Sequence, residues 1–190
     1  MVELVLRVAE DERELRRRGA DLVAEVVTSR PDACLTAATG RTPLGIYEEL
    51  GALIRTRVTD MSRVTAVQLD EYLGLGPGDH RSLLGWMVRS FVEPLGIPVD
   101  RVVPLPTEDP DRTCPAFDAQ LADLGGFDLA ILGLGRNGHL GFNEPPSAAG
   151  AGTRLARFAH RLLSQPAQDV GRSLKRVCAS RHASLVVKRV

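Results

Sequence analysis

Short apolar runs alternate with amphipathic runs along the first 135 residues of the chain. Three apolar runs have the length of a buried β-strand: 33–38, 64–69 and 127–135. Four other runs place their apolar side chains at helical spacing: 10–28, 44–54, 82–95 and 114–126. Strands that are apolar along their whole length and alternate with helices indicate a parallel sheet covered on both faces. The pattern therefore predicts one α/β domain with a mostly parallel sheet.

The polar residues after each strand are candidates for a site, because ligands of such sheets bind beyond the carboxyl ends of the strands. After the first strand, Thr39, Gly40, Arg41 and Thr42 lead into a helix, with Thr42 as the predicted N-cap and Pro43 at the first helical position. Backbone N–H groups and the helix dipole favour an anion there, and the threonine hydroxyls can donate to phosphate oxygens. The loop predicts either a phosphate site or a plain capped turn.

Two acids, Asp70 and Glu71, directly follow the second strand. A carboxyl group at the end of a buried strand loses part of its hydration, which raises its pKa toward that of a useful general base. The alternative interpretation is that one of the two acids caps the next segment or pairs with an arginine.

The third strand runs into GLGRNG at 133–138, which has the G-x-G-x-x-G spacing of a dinucleotide-binding turn. Such a turn needs a helix that begins within the motif and an acid about 20 residues later. Here His139 follows at once, the chain continues to Asn143-Glu144-Pro145-Pro146, and the residue in the place of the acid is Phe158. We therefore interpret the glycines as allowing a tight turn close to a ligand.

The same loop carries three candidate catalytic residues, Asn137, His139 and Glu144. A histidine that is oriented by a carboxylate can shuttle protons near neutral pH. The alternative is a histidine that only satisfies local backbone groups. That alternative loses weight because three neighbouring loops offer phosphate, base and shuttle chemistry together.

Composition excludes several classes of protein. At 190 residues, with 44% apolar and 25% charged residues, the chain has the composition of a soluble globular domain. No apolar run approaches the roughly 20 residues that span a bilayer, and the charged N-terminal residues are not expected to form a signal peptide. Cys34, Cys114 and Cys178 lack metal-ligand spacing, so we expect reduced thiols, a cytoplasmic location and no bound metal.

Three stretches resemble the glucosamine-6-phosphate deaminase family: LTAATGRTPLGIYEEL (35–50), VTAVQLDEYLGLGPGDHRSLLGWM (64–87) and DLAILGLGRNGHLGFNEPPS (128–147). The most specific part is GHLGFNEP at 138–145. The resemblance runs from the first helix to Thr153-Arg154. It implies a Rossmann-like α/β fold and an enzyme of the hydrolase or isomerase type, active in amino sugar metabolism. Such an enzyme converts glucosamine 6-phosphate into fructose 6-phosphate and ammonia without an organic cofactor or a metal.

The resemblance also implies roles for the candidate residues. Asp70 would be the base that moves the C2 proton of the sugar. His139, held by Glu144 and helped by Asn137, would shuttle the proton for ring opening. The phosphate would be bound by the loop residues Thr39, Gly40, Arg41 and Thr42. Arg172 lies near the place of a further phosphate-binding arginine of the family, although its surroundings do not match.

Two other functions stay open. The sister branch, 6-phosphogluconolactonase, typically has Asp-Glu-Arg where this chain has Asp70-Glu71-Tyr72, and it lacks the Phe-Asn-Glu-Pro found here at 142–145. Both differences favour the deaminase branch. A lactonase-like hydrolase would use His139 to activate water. A protein of another class, a non-catalytic sugar-phosphate-binding module, would keep the fold without turnover.

Charge reverses sharply near Gly150. Residues 1–150 carry a net charge of −8, and residues 151–190 carry +8. We therefore predict a deaminase-like domain over 1–154 and a divergent basic tail over 155–190, whose order the sequence leaves open. Because family members continue past this point with further helices and strands, we interpret the C-terminal part as truncated or altered, as a shifted reading frame would make it.

A competing interpretation is a basic tail that contacts an acidic partner or nucleic acid, but no aromatic interleaving or known motif supports it. The partner that we expect is a small sugar phosphate, without membrane or nucleic acid. Whether the chain forms a homo-oligomer stays open.

Overall fold

The computed structural model describes residues 5–56, 59–75, 78–135, 137–148, 150–157, 174–177 and 185–186. Its α-helices are α1 (Glu12–Ser29), α2 (Arg41–Arg55), α3 (Leu83–Met87) and α4 (Pro110–Asp123). Its strands are β1 (Cys34–Ala37), β2 (Thr65–Val67), β3 (Asp70–Tyr72), β4 (Val102–Val103), β5 (Leu129–Ile131), β6 (Arg154–Arg157), β7 (Leu174–Val177) and β8 (Leu185–Val186). A π-helical turn (Val88–Val92) continues α3, and a short 3-10 helix (Val99–Arg101) precedes β4. Among the described helices, none is both long and apolar enough to cross a membrane.

Five strands form a parallel sheet in the order β4-β2-β1-β5-β8. Leu35 of β1 lies opposite Ala66 of β2 and Leu129 of β5, and each neighbouring pair runs parallel. The predicted parallel sheet is therefore confirmed. Since β2, β1 and β5 are neighbours, the loops that follow them leave from one edge.

The two faces of this sheet carry separate cores, because successive side chains of a strand point to opposite faces. Leu35 belongs to the larger core, which includes Val23, Val27, Tyr47, Leu50, Met87 and Phe91. Cys34 belongs to the smaller core, which includes Val67, Leu105, Phe117, Leu121 and Phe127. Helices α1, α2 and α3 thus cover one face and α4 covers the other, as the sequence predicts.

A second, antiparallel sheet has the order β3-β7-β6. Asp70 lies opposite Val177 and Tyr72 opposite Lys175, so residues 70–72 form a strand and the sequence prediction of a loop is wrong. The partner strand lies far along the chain, and a local apolar pattern cannot reveal such a pairing. Strands β7 and β8 come from the segment predicted as a tail and pair with β3, β6 and β5. The domain boundary at 154 stays a prediction.

Helix α2 begins earlier than the sequence predicts. Gly40, not Thr42, holds the N-cap position, and Arg41 is the first helical residue. Gly40 has φ 115° and ψ 178°, a backbone conformation that is open in practice only to glycine. This conformation turns the chain directly from β1 into α2. Pro43 remains in the first turn, where its missing N–H costs nothing.

Two further elements differ from their predicted extents. The predicted helix over 82–95 is divided into α3 and the π-helical turn, with Ser82 as the N-cap that accepts a bond from the N–H of Gly85. The predicted helix over 114–126 begins earlier, at Pro110, which occupies the start of α4. Strand β4 lies between two predicted helices, where the sequence predicts no strand. Its two residues are too few to produce an apolar run.

Candidate active site

The loops after β1, β2 and β5 meet at the carboxyl edge of the parallel sheet. The N–H of Ala38, just after β1, donates to the carbonyl of Ile131 at the end of β5 (2.8 Å). In the loop after β5, Gly141 lies against the strand that follows β2, because a Cβ built on it would lie 3.4 Å from Oδ2 of Asp70. The structure therefore brings Asp70 together with the loop that carries His139.

The two acids after β2 have different surroundings. Asp70 and Glu71 are each 3% exposed, and as neighbours in a strand they point to opposite sides. The Glu71 carboxylate accepts bonds from Ser82 Oγ (2.7 Å) and from the N–H groups of Leu83 and Leu84 (both 3.0 Å) at the start of α3. Glu71 is thus the acid that caps the next helix. Asp70 is the acid that lies beside the loop after β5.

Asn137 joins His139 and Glu144 in a chain of hydrogen bonds. Nδ1 of His139 lies 2.6 Å from Oδ1 of Asn137 and 3.4 Å from Oε1 of Glu144. Nδ2 of Asn137 donates to Oε2 of Glu144 (2.5 Å), and Oδ1 of Asn137 also accepts the backbone N–H of His139 (3.2 Å). Because a carboxylate only accepts hydrogen bonds, Asn137 must turn its NH₂ group to Glu144 and its oxygen to His139.

This arrangement fixes the tautomer of neutral His139. The oxygen of Asn137 is only an acceptor, so Nδ1 carries the proton and Nε2 keeps its lone pair. The side chain of His139 is 30% exposed and that of Glu144 is 18% exposed, which leaves the imidazole more accessible than the carboxylate behind it. Such a group can take a proton at Nε2 while Glu144 stabilises the resulting positive charge.

The imidazole of His139 lies directly over Gly135. A Cβ built on Gly135 would overlap the ring, whereas one built on Gly133 would meet no atom within 4 Å. The N–H of Gly135 donates to the carbonyl of His139 (2.9 Å) and closes the turn. The described residues between 132 and 148 form turns and isolated bridges, without the helix that a dinucleotide site requires. The glycine spacing therefore belongs to a tight turn in which Gly135 packs beneath the ring of His139.

The far end of the same loop is held by Arg154, a residue that sequence reasoning missed. Nη2 of Arg154 donates to Oδ1 of Asn143 and to Oγ of Ser147 (both 2.9 Å). Ser147 in turn donates to the backbone carbonyl of Glu144 (2.5 Å). Arg154 therefore fastens the backbone on both sides of Glu144. Its role depends on β6 returning to this loop, and residue spacing carries no signal of that return.

The loop after β1 presents the start of α2 without a side-chain cap. Gly40 at the N-cap has no side chain, so the first N–H groups of α2 receive no acceptor from it. Arg41 is exposed, and Thr39 and Gly40 are partly exposed. The side chain of Thr42 lies outside what the structure describes, as does the whole of Arg172. The loop offers an anion the free end of a helix.

Tyr47 of α2 holds the start of this loop through a hydrogen bond. Its hydroxyl donates to the carbonyl of Ala38 (2.8 Å), the residue before Thr39. The ring makes edge contacts with Phe91, at a centroid distance of 4.9 Å, and with Trp86, at 6.5 Å. Burial raises the pKa of Tyr47 far above its usual range, so the phenol stays a hydrogen-bond donor.

Tyr72 connects the strand of the acids to the loop after β5. Its ring packs against Phe142 at a centroid distance of 5.3 Å. Burial raises the pKa of Tyr72, and the negative charges of Asp70 and Glu71 raise it further. The phenol is therefore neutral near pH 7, and its ring contact joins β3 to the loop after β5.

Comparison with known proteins identifies the family of the chain. The family model for glucosamine-6-phosphate isomerases/6-phosphogluconolactonase matches residues 9–188. The chain belongs to this family. The match continues past Arg154, so the likeness is longer than the sequence stretches alone indicate.

Curated relatives in this family are glucosamine-6-phosphate deaminases. The deaminase of Alkaliphilus oremlandii is 34% identical over 163 residues, which cover 84% of this chain and 67% of that protein. The deaminase of Bacillus pumilus is 37% identical over 152 residues, 78% of this chain and 63% of that protein. The deaminase of Streptomyces avermitilis is 44% identical over 146 residues, 73% of this chain and 56% of that protein. The chain thus spans between about half and two thirds of the length of the curated relatives it matches.

Solved structures show the same fold. A monomeric glucosamine-6-phosphate deaminase superimposes with a TM-score of 0.84 at 28% identity, over 93% of this chain and 79% of that one. The 6-phosphogluconolactonase from Trypanosoma brucei superimposes with a TM-score of 0.67 at 20% identity, over 91% of this chain and 75% of that one. The second likeness shows the fold alone.

Proposed function

We propose that the chain converts glucosamine 6-phosphate into fructose 6-phosphate and ammonia. The observation that carries this proposal is the position of buried Asp70 beside the turn that bears Asn137, His139 and Glu144. An aldose–ketose isomerisation needs one group for a carbon-bound proton and one for oxygen-bound protons, and these two positions supply them. The deaminase names of relatives at 34–44% identity support the same reaction.

Ring opening is the step for His139. Its Nε2 lone pair takes the proton of the C1 hydroxyl, the C1–O5 bond breaks, and a proton is delivered to O5 to give the open-chain aldehyde. The charge that builds on the imidazole faces Glu144 directly at 3.4 Å and through Asn137. A side chain that is partly exposed also allows the proton to exchange with solvent.

Isomerisation is the step for Asp70. Its carboxylate takes the C2 proton, and the electron pair of that bond forms the C1–C2 double bond while O1 gains a proton. Reprotonation at C1 leaves a protonated imine at C2. Water adds to C2, and ammonia leaves to give the ketose. A base that is 3% exposed suits this step, because loss of hydration strengthens a carboxylate toward a carbon acid.

The substrate phosphate belongs at the loop after β1. The uncapped N–H groups of α2 and the positive end of its dipole favour a dianion, and Arg41 adds a positive charge nearby. We include Thr39, Gly40 and Thr42 in this site on the strength of their place in the loop, and Arg172 only as an expectation from the resemblance. A cytoplasmic location and a small sugar phosphate as partner belong to the same proposal.

Two substrates and one variant test the proposal. We expect the chain to release ammonia from glucosamine 6-phosphate, and Asp70→Asn to lose about 10³-fold in rate, within the range that a general base contributes. Hydrolysis of 6-phosphogluconolactone is measured in parallel. Faster lactone hydrolysis that survives in Asp70→Asn would contradict the proposal and favour the lactonase branch. Binding of both sugars without turnover would favour a non-catalytic module.

A further inference from the structure

Glu71 is a buried anion that is held by neutral donors. Besides Ser82, Leu83 and Leu84, its carboxylate accepts the N–H of Tyr72 (2.8 Å) and Nε2 of Gln68 (2.9 Å). Oε1 accepts two of these five bonds and Oε2 accepts three. None of the five donors carries a positive charge. A glutamine in this place would turn an NH₂ group toward donors, so only an ionised carboxylate satisfies the set.

Gln68 extends this set to the backbone of Asp70. Gln68 is 1% exposed. Nε2 donates to the carbonyl of Asp70 (3.1 Å) as well as to Glu71, and Oε1 accepts the N–H of Leu105 (2.8 Å). The two peptide units that follow Asp70 are thus held, the 70–71 unit by Gln68 and the 71–72 unit by the Glu71 carboxylate.

We propose that Glu71 is a positioning residue for Asp70. The Glu71 clamp, defined as the Glu71 carboxylate with its five donors, ties the short strand β3 to the start of α3. It thereby holds the Asp70 side chain, which leaves the other side of β3, against the turn at Gly141. Glu71 acts through Asp70 and has no contact of its own with the reacting atoms. This inference rests on the proposed function, in which Asp70 is the base.

The main test is Glu71→Gln, which keeps the shape of the side chain and removes its charge. We expect kcat for ammonia release to fall about 10²-fold, because a general base that is displaced from its proton loses much of its contribution. We expect the Kd of the reduced, open-chain substrate analogue to stay within about threefold, because the phosphate loop follows a different strand. A merely structural role would change kcat and Kd together, so a fall in kcat with an unchanged Kd distinguishes positioning of Asp70 from a general loss of structure.

Two further variants keep the test informative. Ser82→Ala removes one donor and leaves the charge of Glu71, so it should lower kcat by only about threefold. It serves as the graded variant if Glu71→Gln does not fold. Asp11→Ala removes another helix cap, the one at α1, where the Asp11 carboxylate accepts the N–H of Glu14 (2.7 Å). This control should leave kcat and Kd at their wild-type values.

Amide hydrogen exchange tests the clamp without relying on turnover. Protection of the N–H groups of Tyr72, Leu83 and Leu84 should fall in Glu71→Gln and persist in Asp11→Ala. The inference is overturned if, in Glu71→Gln, that protection is kept, kcat stays within about threefold of wild type, or kcat and analogue affinity fall together. A wild-type chain that releases no ammonia would instead refute the proposed function, and the exchange result would then decide the clamp alone.

Discussion

The proposed base and the proposed proton shuttle of this site are built in opposite ways. Asp70 lies in a short strand, is 3% exposed, and is followed by two peptide units that the side chains of Gln68 and Glu71 hold. His139 lies in a turn, its side chain is 30% exposed, and its ring is held by Asn137 and by the space over a glycine. A base that removes a carbon-bound proton is more effective when it is shielded from water, whereas a group that exchanges protons with oxygen atoms is more effective when water can reach it. The difference in burial follows the difference in chemistry.

The sharpest way to separate the two regions is to remove the imidazole. His139→Gln should lower turnover of the cyclic sugar about 10³-fold, within the range for a lost acid–base group. The loss should be at least tenfold smaller on an open-chain substrate analogue, roughly the difference that one bypassed step makes. Steady-state rates on both substrates check this. Equal losses would mean that ring opening is wrongly assigned to His139.

A smaller change should displace the ring without removing it. Gly135→Ala places a methyl group where the imidazole lies, so we expect turnover to fall about 10²-fold with the fold intact, since misplaced catalytic groups cost about that factor. The ring proton signals of His139 by NMR should shift. Gly133→Ala is the matched variant, because its methyl group would meet no atom within 4 Å. Ring signals that stay unchanged in Gly135→Ala would refute the close approach.

In the proposed function the loop after β1 holds the substrate phosphate, so a change in this loop should affect binding. Gly40→Val should weaken sugar-phosphate affinity about tenfold or more, because a branched side chain is strained at φ 115° and would fill the open space above the turn. Calorimetric titration measures this. Gly125→Val also introduces a branched side chain at a positive φ, 84°, away from this loop, and should lower stability only. Unchanged affinity in Gly40→Val would remove this loop from the site.

The smallest effect should be on stability at alkaline pH. Burial raises the pKa of Tyr47 in the folded state. The neutral phenol therefore contributes fully to the free energy of unfolding below the unfolded-state pKa of about 10, and this contribution is lost as the pH rises above that value. The loss approaches about 1.4 kcal/mol per pH unit for one group. Tyr47→Phe should cost about 1 kcal/mol near pH 7 by losing the bond to Ala38 and should flatten the alkaline slope. Urea unfolding between pH 8 and 11 tests this, and an unchanged slope would contradict it.

Much of the fold could be predicted because it depends on local pattern. The buried strands around Leu35, Val67 and Leu129 are short apolar runs, and the helices between them have regular apolar spacing. What could not be predicted depends on distant partners. β3 exists as a strand because residues 174–177 pair with it, and Arg154 reaches the loop at Asn143 because β6 returns there.

The candidate site shows the same division. His139, Asn137 and Glu144 share one loop, so their hydrogen-bonded group could be anticipated from spacing. The sequence could name Asp70 and Glu71 as a pair but could not say which acid caps a helix, because that depends on where α3 begins. The sequence predicts Thr42 instead of Gly40 as the N-cap of α2 for a related reason, since the positive φ of Gly40 has no signal beyond the glycine itself.

The most direct test of the central claim is the fate of the C2 hydrogen. Glucosamine 6-phosphate that carries deuterium at C2 is incubated with the wild-type chain and with Asp70→Asn, and the label is followed by NMR while ammonia is measured. We predict that the label leaves C2, to C1 or to water, as ammonia is released, and that Asp70→Asn slows both about 10³-fold. Ammonia release with the label still at C2, or equal loss of label in Asp70→Asn, would contradict Asp70 as the base of an isomerisation.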